Sequence, residues 1–198
     1  MKTALILIDL QNDFLDAQGA YARGGASNPE AQALPERLLP VIESVKQNGG
    51  LVIGSQFTLW PNAQGEPMIS AHLKALRPFL KRGDFAPGSW GQACVPVLAS
   101  RTDLTVQKVA YSAFFNTQLD WVLKKAGVQQ VLVAGIVTNG GVASTVRDAH
   151  MRDYDTVVLA DGCAAFKEQT HQAALADMGT VARVTTIAQW LARGKSAA

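Results

Sequence analysis

An aspartate, a lysine and a glycine follow three strand-like runs, and together they describe a site for proton transfer with no side chain to attack. Thr3-Ala4-Leu5-Ile6-Leu7-Ile8 ends in Asp9, the run from Leu104 to Gln107 ends in Lys108, and Val131-Leu132-Val133-Ala134-Gly135 leads through Ile136 to Gly140 into Gly141. A carboxyl group gives or takes a proton, and an ammonium group holds negative charge. Each residue also has an ordinary reading: Asp9 as the cap of a turn, Lys108 as a solvated surface charge. Their shared place at strand ends joins them, because open parallel sheets bind ligands outside the carboxyl ends of their strands.

The elements that must position these residues alternate. Strand-like runs at Thr3 to Ile8, Leu51 to Ser55, Leu104 to Gln107, Val131 to Gly135, Thr156 to Ala160 and Ala182 to Val184 are separated by stretches with helical apolar spacing. Helices are expected near Thr117 to Ala126, Gly141 to Met151, Gln169 to Met178 and Ile187 to Leu191. An earlier helical region starts at Asn28-Pro29-Glu30 and ends at Asn48-Gly49-Gly50, with Pro35 and Pro40 leaving its boundaries open. This order predicts a single α/β domain over residues 1–192, a three-layer α/β/α arrangement around a mostly parallel sheet, with a flexible tail at 193–198. The loop with Gly19, Gly24 and Gly25 lacks phosphate-motif spacing and reads as a lid at most. Residues 56–103, with Trp60, Pro61, Pro67, Pro87 and Trp90, form a long irregular stretch of the kind that shapes binding sites.

Composition narrows the function classes. In 198 residues, 48% hydrophobic, 18 basic and 16 acidic side chains leave a formal charge of +2, too small and dispersed for a nucleic-acid footprint. A small-molecule partner is expected instead. Only Met1 and Lys2 precede the first strand and no apolar run is long enough to span a bilayer, so no membrane association and a cytoplasmic location are expected. Cys94 and Cys163 lie far apart and read as reduced thiols, Cys163 as a buried inert one. His72, His150 and His171 are widely separated and read as helix-surface or core residues. Phe57, Trp90, Tyr111 and Phe114 are candidates for the apolar walls of a substrate pocket, with a core role as the ordinary alternative for each.

From Thr3 to about Trp190 the chain resembles the isochorismatase-like family, often called cysteine hydrolases. The likeness rests on Ile8-Asp9-Leu10-Gln11-Asn12-Asp13-Phe14, on Lys108 with Tyr111-Ser112-Ala113-Phe114, and on Thr138-Asn139-Gly140-Gly141-Val142. It implies that Asp9 and Lys108 are catalytic and that Gly141 occupies the place of the family's nucleophilic cysteine. Amidases of the family use an Asp, Lys and Cys triad, whereas true isochorismatases lack the cysteine and cleave a vinyl ether. The resemblance further implies a cis peptide before Val137, backbone amides of Val137 and Gly141 that bind an anion, and Thr138 beside them as a substrate contact. Gln56 matches a position where some isochorismatases place a glutamine that positions substrate or water; satisfying loop backbone is its alternative. Gln56-Phe57-Thr58-Leu59-Trp60 carries none of the aspartate and histidines found there in metal-binding members, so no metal and no cofactor is implied. Family members commonly form homodimers or homotetramers.

Three functions follow. The favoured one is hydrolysis of an enol or vinyl ether such as isochorismate, an anionic substrate, with Asp9 as general acid and Lys108 neutralising a carboxylate. The second is hydrolysis of a carbon–nitrogen bond by water that Asp9 activates. The third is a binding protein without turnover. A cation for a second substrate carboxylate is sought among Lys81, Arg82 and Arg101, with none preferred.

Overall fold

A computed structural model describes residues 1–195. Its centre is a six-stranded sheet of β1 (Thr3–Ile8), β2 (Leu51–Phe57), β3 (Leu104–Lys108), β4 (Gln130–Ile136), β5 (Asp155–Ala164) and β6 (Arg183–Thr185). The spatial order is β3-β2-β1-β4-β5-β6, and every neighbouring pair is parallel, so the sheet is parallel throughout. Strands buried on both faces read as continuous apolar runs. In β1, Ala4, Ile6 and Ile8 enter the core on one face, and Leu5 and Leu7 enter the core on the other. Helices Leu119–Lys125, Ala143–His150 and Glu168–Met178 cover the first face, and Pro29–Arg37, Leu39–Gln47 and Ile187–Lys195 the second. Burying one such Leu or Ile contributes about 1.5–3 kcal/mol, so each helix is held by its apolar stripe rather than by its own propensity.

The chain runs outward from β1 to β3, returns to the centre, and runs outward on the other side from β4 to β6. The carboxyl ends of β1 and β4 therefore flank the point where the strand order reverses, the crevice that binds ligands in such sheets. Gly135 permits this junction. Its φ is +123°, and a Cβ there would run into the carbonyl oxygen of Ile8 on the paired strand.

Most boundaries shift by one or two residues from the sequence reading, and three differ by more than that. The early helical region is two helices, because Pro40 begins a new first turn after Leu38. Asn28 does cap the first of them, its side chain accepting from the N–H groups of Glu30 and Ala31. β5 continues past Ala160 through a bulge, and its pairing with β4 resumes at Gly135 opposite Cys163, which carries the chain on to Phe166. The last helix runs to Lys195, so the expected tail is helical at 193–195, and 196–198 lie outside the described residues. Among the described residues no helix is long and apolar enough to cross a membrane.

The long stretch after β2 contains the short helices Ala71–Leu76 and Pro96–Ala99. Three consecutive buried side chains after β1 pin it down. Gln11 donates to the carbonyls of Phe57 (2.9 Å) and Gln92 (2.8 Å), and Asn12 donates to that of Trp90 (2.7 Å). Asp13 accepts from the N–H of Phe85 (2.7 Å) and of Ala20 (3.0 Å). The Gly19–Gly25 loop is thereby tied to the body of the molecule. It contributes Tyr21, buried at 8% exposure, to a cavity wall, which is more than the lid expected from its glycines.

Candidate active site

Asp9 and Lys108 converge. The Lys108 Nζ lies 2.7 Å from Asp9 Oδ2 and 3.0 Å from the carbonyl oxygen of Ala110, and it stands over the ring of Phe57. Both side chains are almost fully buried, at 4% and 2% exposure. The Ser55 hydroxyl donates to the other Asp9 oxygen at 3.0 Å. Asp9 itself has a φ of +55°, a left-handed conformation that costs a non-glycine residue free energy and gathers at functional sites. Its chain direction turns there, which aims the carboxyl across the end of the sheet instead of along it. Burial pushes the Asp9 carboxyl above the usual carboxylate range, and the charge and hydrogen bond of Lys108 pull against that shift without cancelling it.

Gly141 completes the corner. The peptide between Ile136 and Val137 is cis, as the resemblance implies, and a single wide π-type turn over Thr138–Val142 leads into helix Ala143–His150. A Cβ built on Gly141 would stand 3.3 Å from Asp9 Oδ2 and 2.8 Å from the Cγ2 of Ile8. A side chain at 141 would therefore point at the carboxyl, and the position faces Asp9 with none. Neither cysteine compensates. Burial pushes the Cys94 thiol up to about 11 and the Cys163 thiol up to about 12, and neither lines the cavity.

Asp9, Lys108 and Gly141 form the floor of a cavity of about 320 Å³. Of the other site residues expected from the sequence, Phe57, Tyr111 and Val137 line it. Four do not. Gln56 points into a separate cavity with Trp60, Thr105 and Gln107, because successive residues of a strand face opposite ways and Phe57 takes the site side. Trp90 holds its loop through its carbonyl while its ring is half exposed outside the cavity. Phe114 is a core residue, stacked on Tyr154 and capped by the Arg152 guanidinium. Thr138 is fully buried beneath the turn, where its hydroxyl bonds His171 Nδ1 at 2.8 Å. Thr138 and His171 thus support the turn from behind, and neither lines the cavity.

The remaining wall comes from residues that sequence reading did not place there, chiefly Phe14, Tyr21, Arg77 and Phe166. Phe166 follows the end of β5 at Ala164, where the strand-end rule points, and Phe14 lies in the Asp9–Phe14 motif. Nothing in spacing points to Tyr21 or Arg77. Lys81, Arg82 and Arg101 lie outside the lining; Arg82 pairs with Glu66 and Arg101 faces Glu43. His72 stands at the cavity edge. Among the described residues no three His, Cys, Asp or Glu side chains are grouped as a metal site.

Comparison with known proteins agrees with this fold. Residues 3–189 match the family described as Isochorismatase domain. The chain is similar to the ureidoacrylate amidohydrolase of Stutzerimonas stutzeri, at 34% identity over 191 residues, covering 90% of this chain and 77% of that one. Among solved structures it resembles an isochorismatase-like hydrolase from Alkaliphilus metalliredigens, with a TM-score of 0.81, 28% identity, and 98% and 99% of the two chains covered. It also resembles an N-carbamoylsarcosine amidase from Thermoplasma acidophilum, with a TM-score of 0.74, 25% identity, and 94% and 96% covered. With the family match running from the first strand to the last helix around a buried Asp9–Lys108 corner, the chain belongs to the isochorismatase family of hydrolases.

Proposed function

We propose that this protein hydrolyses a carbon–nitrogen bond in a small carboxamide or ureido compound, using water where a thiol would otherwise attack. The observation that carries the reading is the Asp9 carboxyl, salt-bridged to Lys108 and facing the side-chain-free Gly141 across the cavity floor. The relatives supply the bond: those reported above act, by name, on ureidoacrylate and N-carbamoylsarcosine. In the step proposed, the Asp9 carboxylate accepts a proton from a water above Gly141 while the water oxygen bonds to the carbonyl carbon. The carbonyl oxygen takes the electron pair, and backbone N–H groups at the Val137–Gly141 turn are the donors available to it. As the C–N bond breaks, Asp9 returns its proton to the nitrogen, so amide plus water gives acid plus amine. Lys108 holds Asp9 in place and pulls its pKa down against the rise from burial, which favours the ionised form that this step uses.

A second reading keeps the same corner and changes the bond. The raised pKa of Asp9 and the missing thiol both favour an enol ether such as isochorismate. A protonated Asp9 would give its proton to the terminal vinyl carbon, water would add to the oxocarbenium carbon, and the hemiketal would collapse to pyruvate and an alcohol.

Purified protein incubated separately with 3-ureidoacrylate, N-carbamoylsarcosine and isochorismate decides between them. Ammonia release from a carbon–nitrogen substrate, reduced roughly 10²–10⁴-fold in Asp9→Asn, is the expected result. Pyruvate release alone selects the ether reading, and binding without turnover selects the binding protein. The pH profile gives an independent sign. A base must be ionised, so kcat/KM rises as pH rises through the Asp9 pKa; an acid must be protonated, so kcat/KM falls there.

A further inference from the structure

We infer that Arg77, with Tyr21, is the anchor for a carboxylate on the substrate, and that this cavity selects small flat acids over their neutral counterparts. The inference deepens the proposed function, on which it rests only for the kinetic part of its test. Arg77 ends the short helix Ala71–Leu76 and lines the same cavity as Asp9, Lys108 and Gly141. It is half-buried, and among the described residues no carboxylate pairs with it. Its Nε donates to the Tyr21 hydroxyl at 3.3 Å and its Nη1 to the carbonyl of Leu76 at 3.0 Å, which leaves Nη2 without a protein acceptor among the described residues. The other buried cation is already used, since Lys108 is bonded to Asp9 and to Ala110. Arg77 is thus the uncompensated charge of the cavity.

Geometry turns that charge into a binding device. A guanidinium offers a planar fork of donors matched to two carboxylate oxygens, and the match strengthens where apolar walls keep water away. Tyr21 accepts the Arg77 Nε–H, which leaves its own O–H proton to give to the same anion. The hydroxyl is held still by its ring, which stacks on Phe166 at 5.5 Å with an interplanar angle of 12° and packs on Phe14 at 4.6 Å. Phe14, Phe57 and Phe166 line the cavity that Arg77 shares with the Asp9 corner, so a planar unsaturated or aryl carbon frame fits that apolar lining. The substrate class is a carboxylic acid whose scissile group is carried on such a frame.

The test is calorimetric titration of the whole chain with benzoate and with benzamide, an isosteric pair that differs in charge. Wild type should bind benzoate more tightly than benzamide. In Arg77→Met benzoate should weaken by about tenfold or more, as loss of a charge-assisted hydrogen bond predicts, while benzamide stays within about twofold. Arg77→Lys should recover part of the loss, and Tyr21→Phe should show a smaller loss confined to benzoate. Unchanged benzoate affinity in Arg77→Met, equal weakening of benzamide, or no benzoate binding to wild type at millimolar concentration would overturn the assignment. No turnover is needed, so a failure here is separate from a failure of the proposed hydrolysis. On any substrate turned over, Arg77→Met should raise KM and leave kcat nearly unchanged; a fall in kcat at constant KM would also overturn it.

Discussion

The floor and the wall of the cavity are built in different ways. Asp9, Lys108 and Gly141 sit at or just past the ends of strands, and the first two are nearly inaccessible. Tyr111, Leu76 and Phe166 in the wall are 55%, 52% and 40% exposed, and they come from segments far apart in the chain, two loops and the end of a short helix. A sheet end holds a proton donor to within a fraction of an ångström because its neighbours are hydrogen-bonded strands. A loop wall tolerates replacement because few buried contacts depend on it. Under the proposed function, the floor decides which reaction is possible, and the wall decides which molecule undergoes it.

The sharpest way to break this division is Lys108→Met. It strands the Asp9 charge in a buried site, and losing one partner of such a pair costs about 3–5 kcal/mol, read as a fall in the urea midpoint together with loss of activity. A wild-type midpoint would show that the floor is no more constrained than the wall. Gly141→Ala comes next. The position needs no left-handed backbone, but its methyl would stand 2.8 Å from Ile8 Cγ2, so overpacking of about 1–3 kcal/mol is expected in thermal unfolding. Gly141→Cys carries the same strain and sets a thiol toward Asp9. Under the carbon–nitrogen reading it should raise amide turnover, measured as ammonia release.

Acidity gives a finer cut. The folded Asp9 carboxyl holds its proton more tightly than the unfolded chain does. Its contribution to stability is therefore fully present below the unfolded carboxylate pKa and is lost as pH rises through the higher folded value. The stability of wild type relative to Asp9→Asn, measured by denaturation across the acid range, should fall as pH rises; an increase would mean that Lys108 outweighs burial. The smallest effects belong outside the cavity. Gln56→Ala and Trp90→Ala should leave kcat/KM within about twofold, as surface changes away from special features do. A loss of tenfold or more in either would return that residue to the site.

How much of this was legible follows from the range of the forces involved. The apolar run ending at Asp9 marks a strand buried on both faces, the shorter run ending at Lys108 an edge strand with Thr105 and Gln107 exposed, and both ends mark the ligand edge, so the Asp9–Lys108 pair could be read locally. Gln56 and Phe57 show the limit of that reading. Both end the same strand, and only sheet register and the packing of Phe57 beside Phe14 and Phe85 decide which faces the cavity. Phe114 and Trp90 carry the same aromatic signal as Phe57, yet one is core and the other half exposed outside the site. Aromatic type reports a tendency to be buried, not what the ring is buried against.

By itself the sequence determined a doubly covered parallel sheet, the Asp9–Lys108 pair and the missing side chain at 141, because periodicity, strand ends and residue identity are local properties of the chain. Only the tertiary structure decided that Arg77 meets Tyr21 across a separation of 56 residues, and that both share a cavity with Asp9. That meeting depends on the buried bonds of Gln11, Asn12 and Asp13, which fold the long loop onto the sheet end. Contacts of that range leave no period in the sequence, since their geometry exists only once the loop has closed.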